Sequence, residues 1–528
     1  MTSAPLALGK PWRSICRIED MLPNMGVCAE VDGKQLAMFL IDGVVYAIDN
    51  FDPASSANVL SRGIVGDLGG DIVVASPLYK HHYALATGRC LEEPAYSVNT
   101  YPARVVAGTV WVQAQAERRG RSHQKRRLIV IGNGMAGMRT VEELLKAAPQ
   151  LYDIEIFGAE PHGNYNRVLL SPLLAGEKRV EDIMLHPLSW YHEQGVTLHT
   201  GDPVVAIDRM RRRVTSRSGV EASYDRLLLA TGSNPFVPPM PGNDLPGVVT
   251  FRDLQDVSTM LQAAREHQHA VVIGGGLLGL EAANGLTCQG MDVTVVHLGA
   301  VLMERQLDPA AAELLKRSLE QRGLKFVMSA RTSAILAETG GRVTRVLLSD
   351  GTLLPADLVV FAAGIRPNIE LAQHANLRCE RGILVDDTLL TYDPSIYAVG
   401  ECVQHRNSTY GLVAPLWEQA RVCAAHLAEI GLSRYRGSVP SAQLKVTGID
   451  LFSAGNFAET VGSESLVFRD AKRGVYKRVV IENDKVRGAV LYGDTTDGPW
   501  YLELMAESRN VGKLRETLLF GSAYAANA

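Results

Sequence analysis

A glycine pattern that occurs twice constrains this sequence more than any other feature. The segments Arg127–Gly137 (RLIVIGNGMAG) and Ala270–Gly279 (AVVIGGGLLG) each carry an apolar run directly into Gly-x-Gly-x-x-Gly. The run predicts a buried parallel strand, and the glycines predict a tight turn into a helix whose N-terminus faces an anion. Because the second glycine lets the backbone approach a pyrophosphate, the sequence predicts two dinucleotide-binding βαβ units. The glycines are Gly132, Gly134 and Gly137 in the first copy and Gly274, Gly276 and Gly279 in the second.

The residues that follow the first copy strengthen this interpretation. Met138–Ala148 has the pattern of a helix and Ile154–Gly158 that of a strand, and Glu160 then lies at about the spacing of a carboxylate that binds an adenosine ribose. Glycine-rich turns that bind no nucleotide are the weaker alternative, because two motifs occur in a matching context. The candidate nucleotide-binding residues of the two turns also include Met135, Ala136, Leu277 and Leu278.

Length and composition indicate an ordinary globular protein. The 528 residues predict three or four domains, and 46% apolar residues, 21% charged residues and a net charge of −4 indicate neither a nucleic-acid nor a membrane partner. No basic segment followed by an apolar stretch opens the sequence, and no apolar run reaches the roughly 18 residues of a membrane span, so we expect a cytoplasmic protein. Seven scattered cysteines without a C-x-x-C pair predict neither disulfides nor a redox dithiol.

Residues 10 to about 116 have the pattern of a small all-β sandwich or barrel. Short alternating or apolar runs are separated by turn dipeptides at Asp32-Gly33, Asp42-Gly43, Gly69-Gly70 and Ala107-Gly108. The runs are Gln35–Ile41, Val44–Ile48, Ile72–Ala75 and Thr109–Val112.

Within this part, Asp49–Tyr101 resembles the Rieske-like small subunit of NAD(P)H nitrite reductases. A Rieske domain holds a two-iron cluster with a C-x-H box and a C-x-x-H box. Here the boxes read Asn50-Phe51-Asp52 and Ser76-Pro77-Leu78-Tyr79, so no thiolate or imidazole stands at the four ligand positions. His81 and His82 are close by, but adjacent residues on a strand point to opposite faces, and we interpret them as surface or packing residues. The resemblance therefore implies a domain without an iron–sulfur cluster or other metal, used for docking or structure.

The loop His162–Glu177 (HGNYNRVLLSPLLAGE) is the most specific piece of the sequence. It closely resembles the flavin-binding loop of the large subunit of assimilatory NAD(P)H nitrite reductases and of related reductase components of nitrate assimilation. The resemblance implies that Arg167 lies near an FAD phosphate or ribose and that the Ser171 hydroxyl lies near the flavin. Several ferredoxin reductases of the wider flavoprotein class carry a lysine one residue after that serine, where this chain has Pro172.

Two further segments match the flavoprotein class. Tyr224–Ser233 (YDRLLLATGS) is a predicted strand that runs into the point at which this class packs the chain against FAD, and Ile396–Cys402 (IYAVGEC) resembles its second flavin fingerprint. The following helix is predicted to start near Pro415, and its N-terminus, aimed at the flavin pyrimidine, would stabilise the anionic reduced form. The glutamate of the fingerprint would accept a hydrogen bond from a ribityl hydroxyl. The residues implied here are Ala230, Thr231, Gly232, Gly400, Glu401 and Pro415.

The second βαβ unit, from about Leu245 to Phe361, is predicted to bind the nicotinamide nucleotide. Its strand Val293–Val296 ends at His297, where an NAD-selective site typically places Asp or Glu. The resembled nitrite reductases share this histidine and largely use NADH, so we expect NADH, with NADPH left open. Glu281 is either a residue facing the nicotinamide or a plain helix glutamate, and Gly364 lies in the crossover that returns to the first unit.

The last part of the sequence is predicted to be rich in strands. Its runs are Gln443–Val446, Val475–Ile481 and Val486–Tyr492, and the segment from Gln443 to Gly455 again resembles nitrite reductase large subunits. No cysteine lies beyond Cys423, so we expect neither an iron–sulfur cluster nor sirohaem to be held there by the usual thiolates.

The expected fold class is α/β, with two Rossmann-like dinucleotide-binding domains, an N-terminal all-β Rieske-like domain and a small C-terminal α+β domain. The expected boundaries are 1–116 for the Rieske-like domain, 117–126 for a basic linker, 127–244 and 362–440 for the FAD domain, 245–361 for the NAD(P)H domain and 441–528 for the C-terminal interface domain.

The expected function is electron transfer from NADH through FAD to a separate iron–sulfur, sirohaem or molybdenum subunit of nitrite or nitrate assimilation. No side chain is assigned as a catalytic acid or base, because the cofactor carries the chemistry. A reductase for ferredoxin, rubredoxin or a ring-hydroxylating dioxygenase is the alternative enzyme. The non-enzymatic alternative is an FAD-binding redox sensor or scaffold protein.

Overall fold

The computed structural model describes residues 12–68, 71–93, 96–113, 125–338, 341–430, 433–444, 446 and 448–525. The Gly69-Gly70 turn and nearly all of the predicted linker lie outside these ranges, although Arg126 already belongs to a strand. The chain divides into two compact units. The first is dominated by residues up to Lys125 and also contains 144–151 and 424–434, and the second contains the remainder.

The first unit is built around small antiparallel sheets, which confirms the predicted all-β domain. Its strands are β1 (Trp12–Arg17), β2 (Gly26–Val31), β3 (Lys34–Ile41), β4 (Val44–Asp49), β5 (Phe51–Asp52), β6 (Ala57–Asn58), β7 (Ile64–Leu68), β8 (Asp71–Ala75), β9 (His82–Ala84), β10 (Ala103–Val106) and β11 (Thr109–Gln113). They pair in the orders β1-β11-β10, β2-β3-β4 and β7-β8-β9, with β5 and β6 as a further pair. Asp42 and Gly43 between β3 and β4 have φ of +48° and +81°, the conformation of a two-residue hairpin turn.

The first glycine motif lies in a five-stranded parallel sheet, as its apolar strands predict. The elements from Arg126 onward are β12 (Arg126–Ile131), α1 (Met135–Ala147), β13 (Tyr152–Phe157), α2 (Leu170–Leu174), α3 (Val180–Ile183), α4 (Leu188–Glu193), β14 (Val196–His199), β15 (Val204–Asp208), β16 (Arg213–Ser216), β17 (Glu221–Ser223), β18 (Arg226–Leu229) and β19 (Ser233–Pro235). Strands β15, β16 and β17 form a separate antiparallel sheet.

The second motif lies in a sheet of the same design. Its elements are β20 (Val248–Thr250), α5 (Leu254–Glu266), β21 (His269–Ile273), α6 (Leu277–Cys288), β22 (Asp292–Val296), α7 (Pro309–Glu320), β23 (Lys325–Val327), β24 (Thr332–Ala337), β25 (Val343–Leu348), β26 (Leu353–Pro355) and β27 (Leu358–Phe361). The parallel sheet has the order β20-β27-β21-β22-β23, and β24 to β26 form an antiparallel sheet. Both motif strands, β12 and β21, are central in their sheets and almost wholly buried, so their runs are apolar without alternation.

After β27 the chain returns to the first sheet. The returning elements are β28 (Ile365–Pro367), α8 (Glu370–His374), β29 (Ile383–Val385), β30 (Ile396–Ala398), β31 (Val403–His405) and α9 (Val413–Leu427). Strand β30 completes the order β14-β13-β12-β18-β30. The second sheet is therefore inserted into the first domain, which confirms two nucleotide-binding folds of the Rossmann type.

The C-terminal part is an antiparallel sheet with a helix, as the α+β prediction requires. Its elements are β32 (Ser441–Gln443), β33 (Leu451–Gly455), β34 (Ser463–Asp470), β35 (Val475–Glu482), β36 (Lys485–Tyr492), α10 (Gly498–Ala506) and α11 (Ser522–Ala525). The sheet order is β32-β33-β36-β35-β34. Helix α10 packs on β36 and β33 through a core that includes Tyr501 and Leu504.

Several predicted element bounds are wrong. Helix α1 begins at Met135, directly after the glycine turn and before the predicted Met138. Helix α9 begins at Val413, close to the predicted start near Pro415, because a proline at the third position of a helix displaces no intrahelical hydrogen bond. The run predicted from Gln443 to Val446 is strand only as far as Gln443. Leu444 and Val446 are apolar because they are buried in the core that contains α6 and α7, without pairing in the sheet.

Candidate nucleotide-binding sites

Each glycine of the first motif has its own reason to lack a side chain. Gly132 has a φ of +111°, and a Cβ there would lie 2.2 Å from the carbonyl oxygen of Ala230. A Cβ on Gly137 would lie 2.8 Å from the carbonyl oxygen of Gly132 and 2.9 Å from the Ala230 Cβ. At Gly134, by contrast, no atom lies within 4 Å of the Cβ position. Gly134 therefore faces open space immediately before α1, where a pyrophosphate can approach the backbone.

The second motif repeats this geometry. Gly274 has a φ of +127°, and its Cβ would lie 2.3 Å from the carbonyl oxygen of Ala362, while a Cβ on Gly279 would lie 1.9 Å from the carbonyl oxygen of Gly274. No atom lies within 4 Å of the Cβ position of Gly276, which is the residue before α6. Two independent turns thus leave the same glycine open and close the other two.

The residues flanking the two turns differ in burial. Met135 and Ala136 are buried at the start of α1, whereas Leu277 is half-buried and Leu278 is exposed at the start of α6. A Cβ on Gly400 would lie 3.0 Å from the Ala136 Cβ, so the structure brings the predicted second flavin fingerprint against the first glycine turn.

Glu160 and Arg167 form an ion pair. It links the segment after β13, where a ribose-binding carboxylate is predicted, to the predicted flavin-binding loop. The Tyr165 hydroxyl donates to the Glu160 carboxylate at 2.7 Å, and burial together with this carboxylate raises the pKa of Tyr165. Arg167 also donates to the carbonyl oxygen of Arg252 at 2.9 Å. The carboxylate and the guanidinium predicted near FAD therefore lie side by side, as one polar cluster.

Glu401 has a matching ionic partner. Arg252 donates to the Glu401 carboxylate at 2.5 Å and the Ser233 hydroxyl donates to the same oxygen at 2.8 Å, with both charged side chains largely buried. The backbone N–H of Gly400 donates to the side-chain oxygen of Gln419 at 2.8 Å, which holds the fingerprint against α9. Pro415 lies in the first turn of that helix.

The two crossings between the sheets lie side by side. The Thr231 hydroxyl donates to the carbonyl oxygen of Asn368 at 2.7 Å, and the N–H of Asn368 donates to the carbonyl oxygen of Gly232 at 2.9 Å. Gly364 has a φ of +112°, with no atom within 4 Å of its Cβ position. The outgoing and returning chains are thus paired at the junction of the two nucleotide folds.

Ser171 and Glu281 meet between the two folds. The Ser171 hydroxyl donates to the Glu281 carboxylate at 2.5 Å, and both residues are only 4% exposed. Ser171 lies on α2 and Glu281 on α6, whose contact fixes the flavin loop against the second motif helix. Glu281 is therefore a buried residue of α6, and its role beside the nicotinamide stays a prediction.

His297 is part of the second glycine turn. The N–H of Gly275 donates to His297 Nδ1 at 3.0 Å, and Nε2 lies 3.0 Å from the carbonyl oxygen of Val301 and 3.2 Å from a carboxylate oxygen of Glu304. Since Nδ1 accepts, the ring proton lies on Nε2. The side chain of His297 is 10% exposed, so the imidazole supports the turn from beneath.

Residues 126–426 match the family described as pyridine nucleotide-disulphide oxidoreductase, which covers more than half of the chain. The chain belongs to the pyridine nucleotide-disulphide oxidoreductase family. Residues 11–113 match the Rieske-like [2Fe-2S] domain, and residues 440–509 match the rubredoxin NAD+ reductase C-terminal domain. The chain therefore combines a Rieske-like region with the domain of a family of FAD- and NAD(P)H-binding reductases.

The chain is similar in sequence to two curated proteins and in structure to a solved ferredoxin reductase. It is 45% identical to the assimilatory nitrate reductase electron transfer subunit of Bacillus subtilis (75% of this chain, 51% of that one) and 46% identical to the nitrite reductase [NAD(P)H] of the same organism (74% and 48%). The ferredoxin reductase for the CYP199A2 system from Rhodopseudomonas palustris is 31% identical with a TM-score of 0.65 (71% and 92%). The chain spans about half the length of the two curated relatives.

The residues present fit the two nucleotides of this family. The backbone at Gly134 and Gly276 is open to a pyrophosphate, and each of these glycines directly precedes a helix N-terminus. Glu160 follows β13 and Glu401 follows β30 of the first sheet, so each would offer a carboxylate acceptor to a ribose or ribityl hydroxyl. No helix among the described residues is long and apolar enough to cross a membrane.

In the Rieske-like domain a hydrogen-bond network occupies the place of the two ligand boxes. The carboxylate of Asp52, which is fully buried, accepts from the Ser76 hydroxyl at 2.5 Å, the Tyr83 hydroxyl at 2.6 Å and the Ser55 hydroxyl at 2.7 Å. Burial opposes ionisation, but these donors outweigh it and hold the pKa of Asp52 below its usual value. The structure thus joins the two boxes directly through Asp52 and Ser76.

Of the other two box positions, Asn50 is hydrogen-bonded within the protein and Tyr79 is exposed. The Asn50 amide donates to Cys28 Sγ at 3.4 Å and to Gln35 at 3.2 Å, and its oxygen accepts from the N–H of Ser61 at 2.8 Å. Tyr79 is 65% exposed. Among the described residues, no group of three or more His, Cys, Asp or Glu side chains is arranged to hold a metal ion.

His81 and His82 are packing and surface residues. His82 Nδ1 pairs with the Glu92 carboxylate at 2.5 Å, and the His81 ring lies edge-on to Tyr96 with 5.7 Å between the centroids. Only His82 belongs to β9, so the argument from opposite strand faces does not apply to His81.

The sequence analysis missed four residues that contact the first glycine turn or the predicted flavin segments. They are Asn133, Tyr191, Arg252 and Gln419. Asn133, inside the first glycine turn, accepts from the Tyr191 hydroxyl at 2.9 Å through its side chain and from the Asn164 amide at 2.9 Å through its carbonyl. A polar residue between the first two glycines is a signal that could have been noticed. Arg252 had no such signal, because its partner Glu401 lies 149 residues away.

Proposed function

We propose that this chain is the electron-input component of a nitrite- or nitrate-assimilating reductase. It takes electrons from NADH, passes them through a bound FAD and delivers them to a separate iron–sulfur, sirohaem or molybdenum subunit. The observation that carries this proposal is the 45% identity to an assimilatory nitrate reductase electron transfer subunit across 75% of the chain, which extends through the flavin loop and beyond the family domain. We place the protein in the cytoplasm, where NADH is available.

The FAD site is assigned to the domain that contains the first parallel sheet, residues 127–244 and 362–440. Gly134 and the N-terminus of α1 receive the pyrophosphate, Glu160 accepts from the adenosine ribose, and Glu401 accepts from a ribityl hydroxyl. Since Arg167 and Arg252 already neutralise these two carboxylates, each acid can accept a hydroxyl without leaving an unpaired charge beside the nucleotide phosphates. The remaining members of the site are Gly132, Met135, Ala136, Gly137, Ser171, Ala230, Thr231, Gly232, Gly400 and Pro415.

The nicotinamide nucleotide is assigned to the second sheet, within 245–361. Gly276 and the N-terminus of α6 receive its pyrophosphate, and Glu281 lies on the same helix one turn further along, toward the flavin loop. The remaining members of the site are Gly274, Leu277, Leu278, Gly279, His297 and Gly364. A bound flavin accepts a hydride and can release its two electrons singly, so the chain has to position and insulate the two nucleotides and supply no acid or base.

The Rieske-like domain is proposed to work without iron. Ser76 donates to Asp52, and Asn50 is bonded to Cys28, Gln35 and Ser61, so three of the four ligand positions are committed to the protein's own hydrogen bonds. The fourth, Tyr79, is exposed. Metal analysis and the visible spectrum of the purified chain test this. Absorption by flavin alone is expected, and stoichiometric iron with acid-labile sulfide would contradict it.

A reductase for ferredoxin or rubredoxin is the second candidate. Two observations favour it: the match of 440–509 to the rubredoxin NAD+ reductase C-terminal domain, and a ferredoxin reductase of which this chain covers 92%. The flavin loop at His162–Glu177 and the fused Rieske-like domain favour the nitrogen-oxyanion assignment.

Reconstitution tests the proposal. The purified chain with NADH should reduce ferricyanide, but it should not reduce nitrite or nitrate, because nitrite reduction needs six electrons at one metal centre and the sequence offers ligands for neither sirohaem nor molybdenum. Addition of a sirohaem or molybdenum subunit should yield ammonium or nitrite. Steady nitrite turnover by the lone chain would refute the electron-input assignment, and activity only with ferredoxin or rubredoxin would establish the second candidate.

A further inference from the structure

The position where a dinucleotide site usually places its ribose-binding carboxylate is not available for that role here. His297 follows β22, as such a carboxylate would, but Nδ1 is occupied by the N–H of Gly275 and Nε2 by Val301 and Glu304. A Cβ on Gly275 would lie 2.8 Å from Cγ of the imidazole, so the ring is packed tightly under the turn. His297 is therefore a support for the turn, and the ribose needs another partner.

The loop after β22 places the carboxylate of Glu304 next to His297, beside the second glycine turn. The N–H of Met303 donates to the carbonyl oxygen of Gly275 at 3.0 Å, which ties the loop to the middle of the glycine turn. Leu302, Met303 and Leu307 are buried, each 1–2% exposed, and hold the loop on the core. Glu304 lies between these anchors with 55% of its side chain exposed and one carboxylate oxygen 3.2 Å from His297 Nε2. One oxygen of the Glu304 carboxylate is thus held by His297, while the side chain remains accessible to a ligand from solvent.

We propose that Glu304 accepts the adenosine ribose hydroxyls of the nicotinamide nucleotide and sets the preference for NADH over NADPH. This inference rests on the proposed function, because it requires the second glycine turn to bind NAD(P)H. A carboxylate accepts hydrogen bonds from the 2′- and 3′-hydroxyls, whereas it repels a 2′-phosphate that carries nearly two negative charges. His297 is the positioning residue, since its Nε2 proton orients the carboxylate.

The neighbouring cation is not anchored beside the turn by any contact among the described residues. Arg305 follows Glu304 and is exposed, and among the described residues no hydrogen bond or ion pair holds its side chain. Lys325 is paired with Asp292, which begins β22 at the end of the strand away from the turn. The anchored charge beside the turn is therefore negative, which favours a ribose with free hydroxyls.

The experiment compares Glu304→Gln with Glu313→Gln in the full-length, FAD-loaded protein. Glu313 is an exposed carboxylate on α7 that pairs with Arg317, so its loss changes the net charge equally without touching the turn. Calorimetry gives the Kd of ADP-ribose and of its 2′-phosphate, which carry the ribose but transfer no hydride. Stopped-flow flavin reduction by NADH and NADPH gives the same comparison for the substrates.

The wild type should bind ADP-ribose at least tenfold more tightly than its 2′-phosphate. Glu304→Gln should reduce that ratio about tenfold at unchanged FAD content. Glu313→Gln should leave both the ratio and the rate of flavin reduction by NADH unchanged. His297→Asn, which removes the orienting Nε2 proton, should reduce the ratio in the same direction.

An unchanged ratio in Glu304→Gln, or a wild type that prefers the 2′-phosphate, would overturn the role of Glu304 alone. If ADP-ribose failed to bind the wild type, or bound Gly276→Val equally well, the nicotinamide site itself would be misassigned. That second result would overturn both proposals and is distinguishable from the first.

Discussion

The hydroxyl of Ser171 donates a 2.5 Å hydrogen bond to the carboxylate of Glu281, although 110 residues separate them in the sequence. The serine belongs to the loop assigned to the flavin, and the glutamate to the helix assigned to the nicotinamide nucleotide. Because both side chains are buried, this bond couples the positions of the two sites, which have to lie close enough for hydride transfer.

Ser171→Ala should therefore slow flavin reduction more than it weakens FAD binding. Loss of a hydrogen bond to a buried carboxylate costs about 1.5–3 kcal/mol, so the free energy of unfolding should fall by that amount. We expect about tenfold slower stopped-flow reduction by NADH, equivalent to ~1.4 kcal/mol, at unchanged FAD content. Ser349→Ala, which removes an exposed hydroxyl bonded to the carbonyl of Arg331, is the control. Equal rates in both variants would refute the coupling.

Gly134→Val should abolish FAD binding without unfolding the protein. The φ of Gly134 is not in the left-handed region and no atom lies within 4 Å of its Cβ position, so the protein tolerates a side chain that the pyrophosphate does not. Gly137→Val serves as the contrast, since its Cβ would lie 2.8 Å from a carbonyl oxygen and should lower the melting temperature. Full FAD content of Gly134→Val after gel filtration would show that the first motif is misassigned.

Gly276→Val should keep FAD and lose reduction by NADH. The second turn has the same open position, so the variant should be flavin-loaded, have a wild-type melting temperature and stay yellow when NADH is added. Photochemical reduction of its flavin is the control that shows the FAD site to be intact. Rapid bleaching by NADH would contradict the assignment of the second motif.

Asp52→Asn should destabilise the Rieske-like domain. Ser76, Tyr83 and Ser55 all donate to this buried carboxylate, and an amide presents a donor where an acceptor is needed. We expect a loss of about 2–4 kcal/mol, measured by hydrogen exchange of β3 and β4 in the full chain. Asp32→Asn, which removes an exposed pair with Arg13, should cost less than about 0.5 kcal/mol.

The same carboxylate predicts an acid-sensitive domain. Because the pKa of Asp52 is lowered in the folded state, its stabilisation is fully present above the unfolded value of about 3.9 and is lost as the pH falls through the folded value. The stability difference between wild type and Asp52→Asn should thus be constant from pH 7 to about 5 and shrink below about 4. Urea midpoints at pH 6.0, 4.5 and 3.5 measure it, and a difference that grew with acid would disprove the assignment.

The local sequence was sufficient to predict the geometry of the glycine turns and the lack of Rieske cluster ligands at the two boxes. In a turn such as Gly132 to Gly137, the close approaches to the backbone arise from the strand–turn–helix unit itself, so the residue types report the geometry directly. The ligand boxes are equally local, because Asn50, Asp52, Ser76 and Tyr79 cannot supply thiolate or imidazole in any fold.

Only the tertiary structure decided what those residues do instead. Asp52 meets Ser76 and Arg252 meets Glu401, and each of these pairings depends on how separate segments pack and not on the spacing between motifs. Glu304 and His297 are 7 residues apart, and the conformation of the loop after β22 brings them together. A buried charge needs a partner, but many residues of the right type are available to each one in the sequence. Packing of the folded segments selects among them, since it fixes which side chains come within hydrogen-bonding distance.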